Sequence, residues 1–326
     1  MEKIKFDLQF FADVTNTTGT EALSPEMRDY YEMTLIDVAS PNLIHDQFGD
    51  KYPIPKNGGK TIQFRRFSAL PKATTALTEG VTPDGQALNV TEVKATVEQY
   101  GGFVRVTDML DLTAIDNTIV QATKVIGSQA GRTVDTVVRE VLVGGTNVQF
   151  AGGKTDRAAL TAGDKLTVDE LFKAAAELES MNAPKIDGSY VAIVHPYVAY
   201  DLMASEAWLD VHKYADPEAI FKGEVGKVGN VRVVTTSEAK IWKGEGCPSG
   251  LAVFGTLVLG GNAYGTTEIE GGGLQHIVKP LGSGDDPLNQ RATIGWKATK
   301  TAERLVEEYM LRIESCSAYS ATAQAN

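Results

Sequence analysis

Apolar residues recur every three or four positions between Asp108 and Val143: Leu112, Ile115, Ile119, Ile126, Ala130, Val134, Val137, Val138 and Val141. That spacing is one face of an α-helix. Asp108 is a good N-cap, Asp111 lies in the first turn, and Gly144-Gly145 ends the run. At 1.5 Å per residue the helix would be roughly 45–50 Å long, well above the globular mean. Gly127 and Gly131 inside it cost about 1 kcal/mol each and mark close packing or a slight bend.

The chain before this rod reads as extensions. Residues 60–70 form a strand, and residues 92–107, β-branched and alternating, form its return. Between them, residues 71–91 carry Pro71, Gly80, Pro83 and Gly85 with few large apolar side chains. A strand out, a polar tip and a strand back make a long hairpin, and loops of such length are functional or disordered. At the start, Ile4, Phe6, Leu8 and Phe10 alternate at a period of two, and a Thr-rich stretch over 12–24 follows as a flexible tether. Ser24 and Pro25 then open a helix that runs to about Val38 before Pro41.

After the rod comes a Gly- and Thr-rich connection over 146–164. Thr167-Val168-Asp169-Glu170 resembles a capping box, so a helix is expected to about Ser180. Tyr190–Val194 reads as a buried strand, 197–204 as a helix, and Val231–Val234 as a strand, which together indicate an α/β region. Segments 251–259, 275–280, 292–298 and 305–314 read as β, with an evident loop at 282–287. The closing SAYSATAQAN is small and polar and is expected to be disordered.

Composition excludes some classes. The net charge is −11, and the largest basic clusters are pairs such as Arg65-Arg66, so no basic stripe neutralises phosphates. Cys247 and Cys316 are isolated, which gives neither a disulfide framework nor a cysteine metal site and fits a reducing compartment. Asp7 and Gln9 interrupt the apolar N-terminus, so a signal peptide is not expected. No apolar run reaches the roughly 18 residues that a membrane span needs.

The motifs that suggest chemistry fail on inspection. Two Gly-Gly-Lys-Thr stretches, 58–61 and 152–155, lack the first glycine of a phosphate-binding loop; Ile54 and Val148 stand there. His45, His195, His212 and His276 are never three or four residues apart, so no helical metal pair exists. His195 closes a strand before Pro196, a place where α/β enzymes put a base, and the competing reading is a structural strand-end histidine. No strand feeding a helix surrounds the glycines of 223–229. No catalytic residue, cofactor or metal is assigned.

The order of elements resembles the major capsid proteins of tailed bacteriophages, with the fold named after coliphage Hong Kong ninety-seven. The resemblance is carried by KFDLQFFAD at the start, TEGVTPDGQALNVTEVKATVEQYGGFVRVTDMLDL and VREVLVGG in the middle, LTVDELFKAAAEL with YVAIVHPYVAYDLM, and DPLNQRATIGWK near the end. It implies an α+β subunit: an N-terminal arm (1–24), a first helix and connection (25–59), an extended loop hairpin (60–107) and a spine helix with its connection (108–160). An axial domain (161–248) and return strands to the peripheral domain (249–326) complete it. It further implies hexamers and pentamers closing into an icosahedral shell around double-stranded DNA, in a virion assembled in the host cytoplasm. Partners would be copies of the chain itself, a portal, and a scaffold or decoration protein, with no sequence-specific DNA contact and no membrane. Relatives often begin with a long scaffolding segment, whereas only about twenty-five residues precede the first helix here. Phe6, Leu8 and Phe10 in the arm, and Gly80, Val81, Pro83 and Leu88 in the loop, are the expected contacts between subunits. The alternatives are an encapsulin-type compartment shell and a soluble α/β enzyme using His195.

Overall fold

The computed structural model describes residues 44–326 apart from 68–69, 77–78, 81, 83, 114–117, 209–223 and 284–285. The arm, the helix expected after Ser24, Val81, Pro83 and His212 therefore lie outside the described residues. In chain order the elements are β1 (Asp50–Lys51), β2 (Thr61–Phe67), β3 (Val90–Thr96), β4 (Glu98–Thr107), α1 (Asp108–Thr113), α2 (Thr118–Val143) and β5 (Val148–Phe150). There follow α3 (Val168–Ser180), β6 (Tyr190–Val194), α4 (Pro196–Met203), β7 (Glu224–Val228), β8 (Val231–Thr235) and β9 (Ile241–Trp242). The chain ends in β10 (Val253–Leu259), β11 (Tyr264–Thr267), β12 (Gln275–Lys279), β13 (Arg291–Arg304) and β14 (Met310–Ser315).

These elements form two compact units. The smaller holds 99–134 and 272–299; the larger holds 44–98, 135–271 and 300–326. In the smaller unit β12 pairs antiparallel with β13, which also pairs with β4. One face of this sheet is covered by α2: Ile126, Ala130 and Val134 pack with Val106, Ile294, Trp296 and Ala298. Gly127 and Gly131 are buried there, as close packing requires. The Trp296 indole, otherwise a stranded donor, gives its Nε1 proton to Gln129 Oε1 at 3.1 Å.

The larger unit is built on a seven-stranded mixed sheet in the order β5-β14-β10-β6-β8-β7, with β9 on β10. β6 shows why its sequence is apolar at every position. Tyr190, Ala192 and Val194 pack on the face covered by α3 and α4, while Val191 and Ile193 pack with Leu142 and Val143 at the end of α2. A strand buried on both faces has no place for a polar side chain. The expected cap of α3 is present: Thr167 Oγ1 accepts from the Glu170 backbone N–H at 3.3 Å.

The end of α2 is held by cations from distant strands. Arg304 Nη1 donates to the Val141 carbonyl at 2.8 Å, and Arg312 Nη1 to that of Gly145 at 3.0 Å. Arg304 thereby satisfies a carbonyl that the last helical turn leaves open, as Arg312 does through a further bond to the Val143 carbonyl, at the negative end of the helix dipole. The fully buried carboxylate of Glu314 bridges Arg312 Nε (2.9 Å) to Arg157, which forks onto it at 2.6 and 2.7 Å. Arg157 also lies 4.1 Å over the ring of Trp242.

Several expected boundaries change. The 92–107 strand breaks at buried Val97, whose N–H turns to the Lys60 carbonyl at 2.8 Å, so it becomes β3 and β4. The 146–164 connection contains β5, which adds parallel to β14. Residues 224–228 form a strand that turns back through Gly229 (φ +56) to pair with β8, which again leaves no strand feeding a helix. β11 carries no clear sequence signal, because Tyr264–Thr267 is short and flanked by glycine and asparagine. The rod expected over 108–143 is described as α1 and α2 on either side of 114–117. The C-terminal decapeptide is ordered against expectation. Ala321 O accepts from Ala252 N at 2.7 Å, the Asn326 side chain donates to Ala239 O and accepts from Ile241 N, and the Tyr319 ring stacks on Tyr197 at 4.7 Å. Small side chains let this backbone lie close enough to bond, which composition alone does not reveal.

Candidate assembly surfaces

β2 and β3 pair antiparallel from Thr61↔Thr96 to Phe67↔Val90 and form a sheet of their own. Strand alternation sorts the ribbon into two faces. Ile62, Phe64, Val93 and Ala95 share one, where Phe64 packs edge-on against Tyr52 at 5.1 Å and Ala95 is buried. The other carries Gln63 beside Lys94, Arg65 beside Glu92, and Phe67 beside Val90. Phe67 is 62% exposed. Beyond the strands every described residue from 70 to 89 is exposed, including Leu70 and Leu88, the latter at 65%. Gly80 sits in this excursion at φ +77, a conformation that disfavours side chains. Of the expected contact residues, Gly80 and Leu88 are thus on the exposed excursion, and the other five lie outside the described residues.

A second surface lies on the smaller unit, on the face of the β4–β13–β12 sheet away from α2. A trough of about 390 Å³ is lined by Phe103, Arg105, Ile277, Lys279, Thr293 and the glycines 101, 102 and 295, with Trp296. The glycines make its floor. A Cβ on Gly101 would come within 2.7 Å of the Trp296 carbonyl, and one on Gly295 within 2.9 Å of Phe103 Cβ. The walls are apolar and cationic; Phe103 is 63% exposed and the Arg105 guanidinium lies 5.3 Å over its ring. Sequence reasoning passes over these residues. The available signal is Gly101-Gly102 inside a strand, which marks close backbone approach.

The histidine with a candidate chemical role is structural. His195 caps α4, its Nδ1 accepting from Tyr197 N at 3.2 Å. Its ring packs on Tyr197 and Phe254 with centroids 4.7 and 5.1 Å away, and burial pushes its pKa down to about 4. His45 is clamped in the larger unit: Asp135 accepts from its backbone N (2.8 Å) and pairs with Nδ1 (2.7 Å). Burial holds the imidazole of His276 below its ordinary range. The Cys316 thiol is pushed up to about 11 by burial, so it is a poor nucleophile. The two Gly-Gly-Lys-Thr stretches are turns with Gly59, Gly152 and Gly153 at positive φ. Among the described residues no cluster of acids, histidines and cysteines is arranged for a metal. No helix among them is long and apolar enough to cross a membrane.

A family model described as "Phage capsid protein" matches residues 90–308, more than half of the chain. No curated protein sequence matches. Among solved structures, the capsid of Ralstonia phage GP4 superposes with a TM-score of 0.65 at 14% identity, covering 97% of this chain and 95% of that one. The cyanophage Pam1 capsid asymmetric unit gives 0.64 at 13%, covering 99% and 100%. The capsid structure of cyanophage P-SCSP1u gives 0.62 at 16%, covering 95% and 92%.

Proposed function

The chain belongs to the phage capsid protein family and is a structural protein of the virion, and from that premise we propose that it is the major capsid subunit of a tailed phage. On this reading, copies assemble into hexamers and pentamers that close an icosahedral shell around double-stranded DNA. A portal, and a scaffold or decoration protein, are the further partners. The regions 1–24, 25–59, 60–107, 108–160, 161–248 and 249–326 then serve as arm, first helix and connection, extended loop, spine with its connection, axial domain and return strands.

The observation that carries this reading is the exposed ribbon with its excursion. A lone two-stranded ribbon is marginally stable in water. This one presents Phe67, Leu70, Leu88 and Val90 to solvent. Such a surface is made to be buried by another chain. Phe6, Leu8, Phe10, Gly80, Val81, Pro83 and Leu88 are the proposed contacts with neighbouring copies. A stable contact between copies should bury over about 1,000 Å² in total.

The test is negative-stain microscopy of purified protein with size-exclusion chromatography. Closed shells or capsomers are expected. A discrete species near 35.0 kDa under all assembly conditions would sink the reading. Nucleic acid inside native particles is expected of a virus, whereas enzyme cargo in its place would favour a compartment shell.

A further inference from the structure

The two faces of the β2–β3 ribbon differ in what they touch. Ile62, Phe64 and Arg66 alternate onto one face of β2, opposite Ala95, Val93 and Thr91 of β3. Two side chains of this face meet the body of their own subunit. Phe64 packs on Tyr52, whose backbone N donates to the Thr266 carbonyl of β11 at 2.9 Å. Further along β2, Arg66 Nη1 donates to Glu308 Oε2 at 3.0 Å, a bond between residues 242 apart in sequence. The base of the ribbon does not itself set its angle. The chain enters β2 after a turn with Asn57 at φ +69 and Gly59 at φ +86, and the return strand breaks at Val97.

Glu308 belongs to the short helical turn Glu307–Tyr309 between β13 and β14. Its neighbour Glu307 faces the end of α2. That carboxylate accepts from the backbone N of Thr146 and from the Thr146 hydroxyl at 3.2 Å, and it pairs with Arg304 Nε at 2.9 Å. One turn thus carries two adjacent carboxylates with separate tasks, one closing the helix end and one reaching the ribbon. The Glu308 carboxyl is held below its ordinary range by a backbone N–H of its turn and then by Arg66. Arg66 and Glu308 are 46% and 47% exposed. A pair so exposed shifts an equilibrium by about fivefold at most. That is too little to hold a fold together, but enough to choose between two ribbon angles of similar energy.

We propose that Arg66 and Glu308 form a reversible clasp that holds the ribbon at one angle to its own subunit, which makes Arg66 a positioning residue of assembly. The inference rests on the capsid reading and concerns the subunit before it meets a second copy. With the clasp closed, the face carrying Arg65, Phe67 and Val90 is presented in a set direction. Such preorganisation reduces the ordering that association must otherwise supply. Salt opens the clasp, because both charges stand in water.

The experiment uses the full-length chain at about 0.01 M and about 1 M salt, between which the Debye length falls from about 30 to 3 Å. Arg66→Glu and, separately, Glu308→Arg should lower shell yield about two- to fivefold at low salt. The variant with both charges exchanged should regain it, and Arg66→Lys should keep most of it. At high salt wild type and single variants should converge. The second readout is hydrogen exchange in the unassembled subunit. A released two-stranded ribbon is marginal, so amides of 61–67 and 90–96 should exchange about two- to fivefold faster in the single variants. Those of β6 should not change, and thermal melting should show folded subunits.

Normal exchange with normal yield in both single variants would overturn the proposal, as would a charge-exchanged variant that recovers neither. Faster exchange with undiminished yield would also overturn it, by leaving the contact without a part in assembly. Yield lost with no change in exchange would overturn it too and assign Arg66 to contact with another copy. In each of those cases the capsid reading survives if wild-type protein forms shells. If wild-type protein never assembles, the capsid reading fails, and exchange in the single variants still decides whether the clasp exists.

Discussion

Strand β6 and ribbon β2–β3 are built from strands of similar length and many of the same residue types, yet they answer to different surroundings. Each β6 residue has its partner atoms inside the fold: β8 on one edge, β10 on the other, α3 and α4 above and the end of α2 below. Among the described residues the ribbon strands pair only with each other, and they turn Phe67 and Val90 to water. The first is buried on both faces within the fold, and the second is the surface that we propose for contact with other copies. Apolar content alone does not separate the roles; the number of covered faces does.

The comparison can be broken at its strongest point first. Replacing Glu314 by Ala leaves Arg157 and Arg312 facing each other without their shared carboxylate, and should cost about 3–5 kcal/mol. The measurement is chemical denaturation of the unassembled subunit, and a loss under about 1 kcal/mol would mean that the buried charges are resolvated. Ile193→Ala, in the middle of β6, should cost about 2–5 kcal/mol in the same assay.

A smaller effect concerns pH. Folding lowers the His195 pKa from 6.5 to about 4, so the unfolded chain binds the extra proton more readily. The stability this residue contributes is complete above about pH 6.5 and is lost as pH falls toward 4. His195→Asn keeps an N-cap side chain and should flatten the slope of subunit stability across that window. An unchanged slope would place the titration elsewhere. The smallest effect on the subunit belongs to the ribbon. Leu88→Ser should change its unfolding free energy by no more than about 0.5 kcal/mol. Shell yield should nevertheless fall, and a subunit destabilised as much as by Ile193→Ala would show that Leu88 already packs within its own chain.

Much of this contrast is legible in the residue pattern alone. The period of Ile126, Ala130 and Val134 marks α2, the Thr167 cap marks the start of α3, and the apolar run Tyr190–Val194 announces a strand covered twice. The hairpin follows from two alternating runs around a glycine- and proline-rich middle. What escapes such reading depends on long-range pairing. β5 is three residues long and exists because β14 offers it an edge. The final decapeptide has no apolar pattern, and its order comes from the backbone of Ala252 and Ile241. The trough escapes because its shape comes from three strands whose glycines are remote in sequence, 101 and 102 against 295.

The placement of β14 has a consequence for timing. It lies between β5 and β10, and with β13 it supplies the arginines that finish α2. During synthesis, strands from residue 148 to 259 emerge long before Met310–Ser315. Until those late residues leave the ribosome the sheet is split, Glu314 is missing, and the carbonyls of Val141 and Gly145 lack their donors. Contacts so distant in sequence form slowly and late. A nascent chain therefore closes this sheet only once residues 310–315 have emerged, and a product cut before them has no finished sheet.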